Sequence, residues 1–104
     1  MFIFMNEMKI LKALGNEKRL EILRWLKTPE QHFPPHQEVE NFDNGVCVSY
    51  IQDKSALTQS TISQYLTLMQ NAELVIPTRI GKWSYYRRNE KIIAEFSKHI
   101  KDKL

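Results

Sequence analysis

Apolar residues recur along this chain in two rhythms, and the change from one to the other divides it into a helical part and a short extended part. Phe4, Met8, Leu11 and Leu14 stand at helical spacing with Lys9 and Lys12 on the other side, which predicts a helix over 2–14. Gly15 and Asn16 break it, and Asn16 suits the N-cap of a second helix with Leu20, Ile22, Leu23 and Leu26 inward and Lys18, Arg19, Glu21 and Arg24 outward. Pro29 ends that helix, because the residue before a proline is pushed out of helical backbone.

From 29 to 45 the periodicity disappears. Pro34 and Pro35 are adjacent, and Glu30, Glu38, Glu40 and Asp43 occur without a Lys or Arg, so the segment reads as a long acidic loop, with Phe33 or Phe42 packed over the core as the plainer reading and a role of the loop's own as the alternative. Ser49 with Gln52 three residues on has the form of a capping box and predicts a short third helix. Leu57 and Thr58 make a turn, and a fourth helix from Gln59 to Ala72 carries Ile62, Tyr65, Leu66, Met69 and Ala72 on one face. The stretch 49–73 is therefore two helices joined by a tight turn.

Beyond Leu74 the rhythm changes. Two runs rich in β-branched and aromatic residues within 75–88 meet at Gly81 and Lys82, which predicts a β-hairpin. Pro77 cannot donate to a ladder, so its strand must lie at an edge or turn that position outward. A last helix over 90–104 repeats Ile92, Phe96, Ile100 and Leu104 at intervals of four, a stripe that needs a partner surface.

Length and composition narrow the class. The chain has 104 residues, room for a single domain over 1–104, and its 42% hydrophobic and 26% charged content is that of an ordinary globular protein. A single cysteine, Cys47, cannot form an internal disulfide, and the apolar run Phe2 to Met5 is far shorter than a signal-peptide core, so a cytoplasmic protein is expected. No stretch approaches the ~20 apolar residues of a membrane helix. Charge is uneven: residues 1–53 hold six Lys/Arg against eight Asp/Glu, and residues 54–104 hold nine against four. A basic second half suits a polyanionic partner.

The segment 58–72 contains no charged residue. Its outer side offers Thr58, Gln59, Ser60, Thr61, Ser63, Gln64 and Thr67, a set of hydroxyls and amides free of the acids that phosphate would repel. Hydroxyls and a helix N-terminus suit phosphate oxygens, and Gln59 and Gln64 pair a donor with an acceptor as an adenine edge requires. Arg79, Lys82, Arg87 and Arg88 cluster around Trp83, Tyr85 and Tyr86 in the hairpin that follows, with the aromatics read as its packing face. Such a cationic wing gives affinity for phosphate that weakens with salt. Double-stranded DNA is the expected partner, with Thr58, Gln59, Ser60, Thr61, Ser63, Gln64, Arg79, Lys82, Arg87 and Arg88 as contacts.

The order of these pieces resembles the ArsR-type family of winged helix-turn-helix repressors. The likeness rests on Leu14-Gly15-Asn16-Glu17-Lys18-Arg19-Leu20-Glu21-Ile22-Leu23, on Leu57-Thr58-Gln59-Ser60-Thr61-Ile62-Ser63-Gln64-Tyr65-Leu66, on Ala72-Glu73-Leu74-Val75, and on Gly81-Lys82-Trp83-Ser84-Tyr85-Tyr86-Arg87. It covers most of the chain apart from 29–44. The resemblance implies a mainly α fold with a small β-hairpin, a winged helix-turn-helix forming a homodimer through its first and last helices, with Phe4, Met8, Ile92, Phe96 and Ile100 at the interface. It implies a transcriptional repressor, and a twofold dimer would favour an inverted-repeat operator.

The family's metal sites do not carry over. Its thiolate site needs Cys-x-Cys, where this chain reads Cys47-Val48-Ser49; its last-helix site needs Asp-x-His, where this chain reads Glu90-Lys91-Ile92. His32, His36 and His99 read as solvated, and neither a metal nor another cofactor is expected. Cys47 is a candidate redox sensor if its thiol is accessible beside a helix N-terminus, although a buried packing cysteine is the commoner case. An enzyme is the least supported class, since no Ser/His/Asp set, paired-carboxylate cleft or phosphate-binding glycine loop stands out. A protein-interaction module would show an acidic wing or an apolar recognition face, and neither is present. An RNA-binding module remains open, because a basic wing serves there too.

Overall fold

A computed structural model describes residues 6–37 and 39–104; the expected interface position Phe4 lies outside them. The elements run α1 (Glu7–Leu14), α2 (Glu17–Lys27), α3 (Pro29–His32), β1 (Val46–Cys47), α4 (Val48–Ser55), α5 (Gln59–Asn71), β2 (Val75–Ile80), β3 (Trp83–Arg88) and α6 (Glu90–Lys103). Caps set several of these boundaries. Asn6, Asn16, Thr58 and Asn89 each accept a hydrogen bond from the main-chain N–H three residues on, satisfying one of the donors that a helix start leaves open.

Ile10 and Ala13 of α1, Ile22, Leu23 and Leu26 of α2, Ile51 of α4, and Ile62, Leu66 and Met69 of α5 meet in one core. Trp25 joins them, though the outward and inward sides read from the sequence left it out. Arg19, expected outward, is half-buried: it donates to the carbonyls of Ala13 and Lys12, at 2.8 and 3.1 Å, and covers the Tyr65 ring. It thereby closes the open C-terminal carbonyls of α1 and links α1, α2 and α5.

The hairpin is part of a larger sheet. Val46 and Cys47 pair with Tyr86 and Tyr85, giving a three-stranded antiparallel sheet in the order β1-β3-β2. Pro77 faces Tyr86 on β2, an edge strand, where its missing N–H costs no ladder bond. The extra strand also corrects the start of the third long helix. Because Cys47 is held in the sheet, the chain enters α4 at Val48, so Ser49 lies inside the first turn and places Oγ 3.2 Å from the Cys47 sulfur instead of capping.

The segment between α2 and β1 departs from a plain loop. It opens with the single turn α3, Phe33 is buried edge-on against Trp25, and Phe42 packs against the ring of His36. His36 is not solvated: it is buried, and its Nε2 accepts the Cys47 main-chain N–H at 3.1 Å. His99 is not free either, since its Nε2 lies 2.7 Å from Oε2 of Glu7 and ties α6 to α1.

Along α6 the four-residue stripe changes environment. Four residues overshoot one helical turn by about 40°, so the stripe winds around the helix. Ile92 is 8% exposed and belongs to the protomer's own core, Phe96 and Ile100 are half-buried, and Leu104 is 96% exposed. Ile92, expected at the interface between copies, is thus occupied within its own chain. On α1, Met8 is 56% exposed and Leu11 is also exposed, since the buried side of that short helix is Ile10 and Ala13. No helix among the described residues is long and apolar enough to cross a membrane.

Candidate nucleic-acid interface

The turn between α4 and α5 is built by backbone geometry. Ala56 takes the left-handed conformation with φ 58° and sends its N–H back to the Gln52 carbonyl, while the buried Ser55 hydroxyl donates to that same carbonyl and accepts from Leu57 N–H. Two residues later Thr58 caps α5, accepting from Thr61 N–H and donating its own hydroxyl proton to Thr61 Oγ1 at 2.9 Å. The two helices are locked at a short turn, and α5 starts with its N-terminus in solvent.

Ile62, Leu66 and Met69 hold α5 against the core, so the opposite side is presented outward. Thr58, Gln59, Ser60, Ser63 and Gln64 are exposed, and Thr61 is half-buried in the cap. This face carries no charge, so a polyanion can approach it without repulsion, and its amides remain available for base edges.

Beside it stands the hairpin. Arg79 donates to the carbonyl of Gly81 at 3.0 Å, which bends its guanidinium over the turn, and Lys82 lies 5.3 Å from the centroid of the Trp83 ring. Both cations are exposed at the tip, where Gly81 has φ 59°, and Arg87 is exposed on β3. Arg88 is placed differently. It forms a two-point fork with Glu90, both contacts 2.9 Å, its side chain is only 12% exposed, and it stands where β3 runs into α6. The aromatic that fills the core is Tyr85, whereas Trp83 and Tyr86 are half-buried.

A cleft of about 320 Å³ joins the helix to the wing. Ser49 and Gln52 from α4, Gln59 and Ser63 from α5, and Ser84 and Tyr86 from β3 line it with hydroxyls and amides. Gln59 and Ser63 were expected at a polar surface. Ser49, Gln52, Ser84 and Tyr86 were not; strand alternation could have found the last two, since it puts 84 and 86 on the face opposite the buried Tyr85, and the i, i+3 spacing of 49 and 52 puts those two on one side of α4.

Cys47, weighed as a redox sensor, is 1% exposed and packs at the base of β1, the position of a structural cysteine. Among the described residues no three His, Cys, Asp or Glu side chains come together as metal ligands would.

Comparison with known proteins accords with this geometry. No family model matches the chain. It is 47% identical over 100 residues to YbzH of Bacillus subtilis, named an HTH-type transcriptional regulator, an alignment covering 96% of this chain and all of that protein. It is 32% identical over 85 residues, 82% of this chain and 60% of the relative, to ArsR2 of Halobacterium salinarum, named as an arsenical resistance operon repressor. Among solved structures, the homodimeric winged helix-turn-helix DNA-binding domain of Mb0332 from Mycobacterium bovis superposes with a TM-score of 0.63 at 24% identity, over 92% of this chain and 78% of that one. With the same order of helices, turn and wing, and relatives along nearly its whole length, the chain belongs to the ArsR-type family of winged helix-turn-helix transcriptional regulators, DNA-binding proteins and not enzymes.

Proposed function

We propose that the protein represses transcription in the cytoplasm by binding an inverted-repeat operator as a homodimer, with α5 in the major groove and the β2–β3 wing on the flanking backbone. The observation that carries this reading is the exposed, uncharged face of α5, running from Gln59 to Gln64, set beside the exposed cations of the hairpin. Gln59 and Gln64 read bases, and Ser60, Ser63 and the Thr58–Thr61 cap meet phosphate. Arg79, Lys82 and Arg87 neutralise the backbone. Arg88, held by Glu90, acts chiefly by fixing the base of the wing to α6.

Dimerisation is supported by the apolar side chains that α1 and α6 leave exposed or half-exposed: Met8, Leu11, Phe96 and Ile100. Paired through these helices, two protomers would present their α5 helices about 34 Å apart, one turn of DNA. Selection of bound fragments from a random duplex pool by the purified protein tests the reading. A consensus with dyad symmetry is expected, with binding that falls steeply as salt rises; equal recovery of all sequences would overturn it.

A further inference from the structure

The segment between α2 and β1 is held at two points. Phe33 is fixed against Trp25, ring centroids 6.2 Å apart, and His36 is fixed by the Cys47 N–H. Between them Pro34 and Pro35 restrict the backbone, and the Tyr50 hydroxyl of α4 donates to the Pro35 carbonyl at 3.0 Å. The chain thus forms a stiff arch over α4. Under it lies a pocket of about 290 Å³ lined by His32, Phe33, Pro34, Tyr50, Asp53 and Lys54. That is close to the lower end of small-molecule sites, about 300 Å³, and its walls are in place before any ligand arrives.

Its chemistry is specific. The rings of Phe33 and Tyr50 and a proline give a flat apolar body, and the His32 imidazole, one carboxylate and one ammonium border it. Asp53 and Lys54 are neighbours on α4 and so point about 100° apart, which prevents a close pair between them. Among the described residues neither has an ion-pair partner, and the Lys54 ammonium lies 5.1 Å from the centroid of the Trp25 ring. We propose that this pocket binds a small aromatic zwitterion of the amino-acid class, its ring between Phe33, Pro34 and Tyr50, its carboxylate on Lys54 and its ammonium on Asp53.

Both charged residues belong to the last turn of α4, directly before the Ala56 turn that sets α5. A ligand clamped between the arch and α4 therefore favours one placement of the helix-turn-helix, and DNA affinity changes with it. That consequence rests on the proposed DNA binding, whereas ligand binding does not, and the two are measured apart.

The test is titration of the isotope-labelled full chain with L-phenylalanine and L-tryptophan, followed by amide shifts, alongside phenylacetate and phenethylamine, which keep the ring and one charge each. Saturable shifts centred on Phe33, Tyr50, Asp53 and Lys54 are expected with the amino acids at millimolar concentration. The singly charged analogues should bind about two- to fivefold more weakly, the worth of one rim ion pair. Lys54→Met should remove the preference over phenethylamine, and Asp53→Asn that over phenylacetate. No saturation, shifts centred elsewhere, or equal binding of all four compounds would overturn the site. A bound amino acid that leaves duplex affinity unchanged overturns the coupling alone.

Discussion

The main-chain N–H of Cys47 donates to Nε2 of His36 across 3.1 Å, eleven residues back in the chain. The acceptor nitrogen carries no proton in this arrangement, so the ring proton sits on Nδ1 and reaches the Asn41 carbonyl at 3.2 Å. The rings of Phe42, Tyr50 and Tyr85 stand 4.5, 5.0 and 5.3 Å away, centroid to centroid. One imidazole thus satisfies a buried donor at the junction of β1 and α4 while packing against three aromatic rings. His36→Phe keeps a ring and removes the acceptor. Leaving a buried N–H unpaired costs about 1–3 kcal/mol, so urea unfolding should show a loss of that size. An unchanged midpoint would mean that the hydrogen bond contributes nothing net.

Gly45 precedes that junction with φ 100°, and a Cβ there would collide with the carbonyl of Tyr86. The close approach is what allows Val46 and Cys47 to pair with β3. Gly45→Ala meets both a disfavoured backbone and a backbone obstacle that cannot swing aside, and it should destabilise by roughly 2–4 kcal/mol. Loss of the β1–β3 cross-strand contacts in NMR spectra, with the β2–β3 contacts kept, would locate the damage. A stability equal to that of the parent chain would refute the account.

Where structure follows from neighbours in sequence, it was legible beforehand. Asn16 before Glu17 announces a helix start because a cap is made within three residues, and the uncharged run 58–72 announces its own outer face. What was hidden depends on distant partners. Val46 and Cys47 become a strand only because β3 lies alongside them, so the capping box read at Ser49 was displaced by sheet pairing. His36 looks like a loop histidine until Cys47 meets it. The fork of Arg88 with Glu90 is close in sequence, yet it forms only because β3 turns directly into α6, and basic composition alone gave no sign of it.

Ala56 and Glu73 end α4 and α5 in the left-handed conformation, with φ 58° and 61°. Glu73 occupies the position that glycine favours in a Schellman turn: its N–H bonds to the Gln70 carbonyl, and that of Leu74 to the Met69 carbonyl. A side chain costs about 1–2 kcal/mol there, partly offset by the greater freedom a glycine has when unfolded. Ala56→Gly and Glu73→Gly should each raise stability by about 0.5–1 kcal/mol, read as higher denaturation midpoints. A lowered midpoint in both would contradict the strain argument.

Met8 and Leu11 lie outside the protomer core, whereas Ile92 lies within it, and this separates two kinds of variant. If the proposed dimer uses α1, Met8→Glu combined with Leu11→Glu should leave the fold intact and shift sedimentation toward a monomer relative to the parent chain. Ile92→Ala should instead cost about 2–5 kcal/mol of protomer stability through the cavity it opens. A charged α1 that still dimerises fully would remove that helix from the interface.

On the proposed reading, the outer face of α5 and the wing contribute separately to DNA binding. Gln64→Ala deletes a candidate base contact, so it should cost about 1–3 kcal/mol on the preferred operator and much less on unrelated duplex, relaxing choice at one position. Arg87→Ala deletes a candidate phosphate contact, which should weaken all duplexes alike and lower the salt slope by about 1. Arg88→Ala has a third signature, because its guanidinium is already paired with Glu90: stability should fall while the salt slope stays that of the parent. If Arg88→Ala lowers the slope as Arg87→Ala does, then the fork opens on DNA, and the wing meets one more phosphate than the free protein presents.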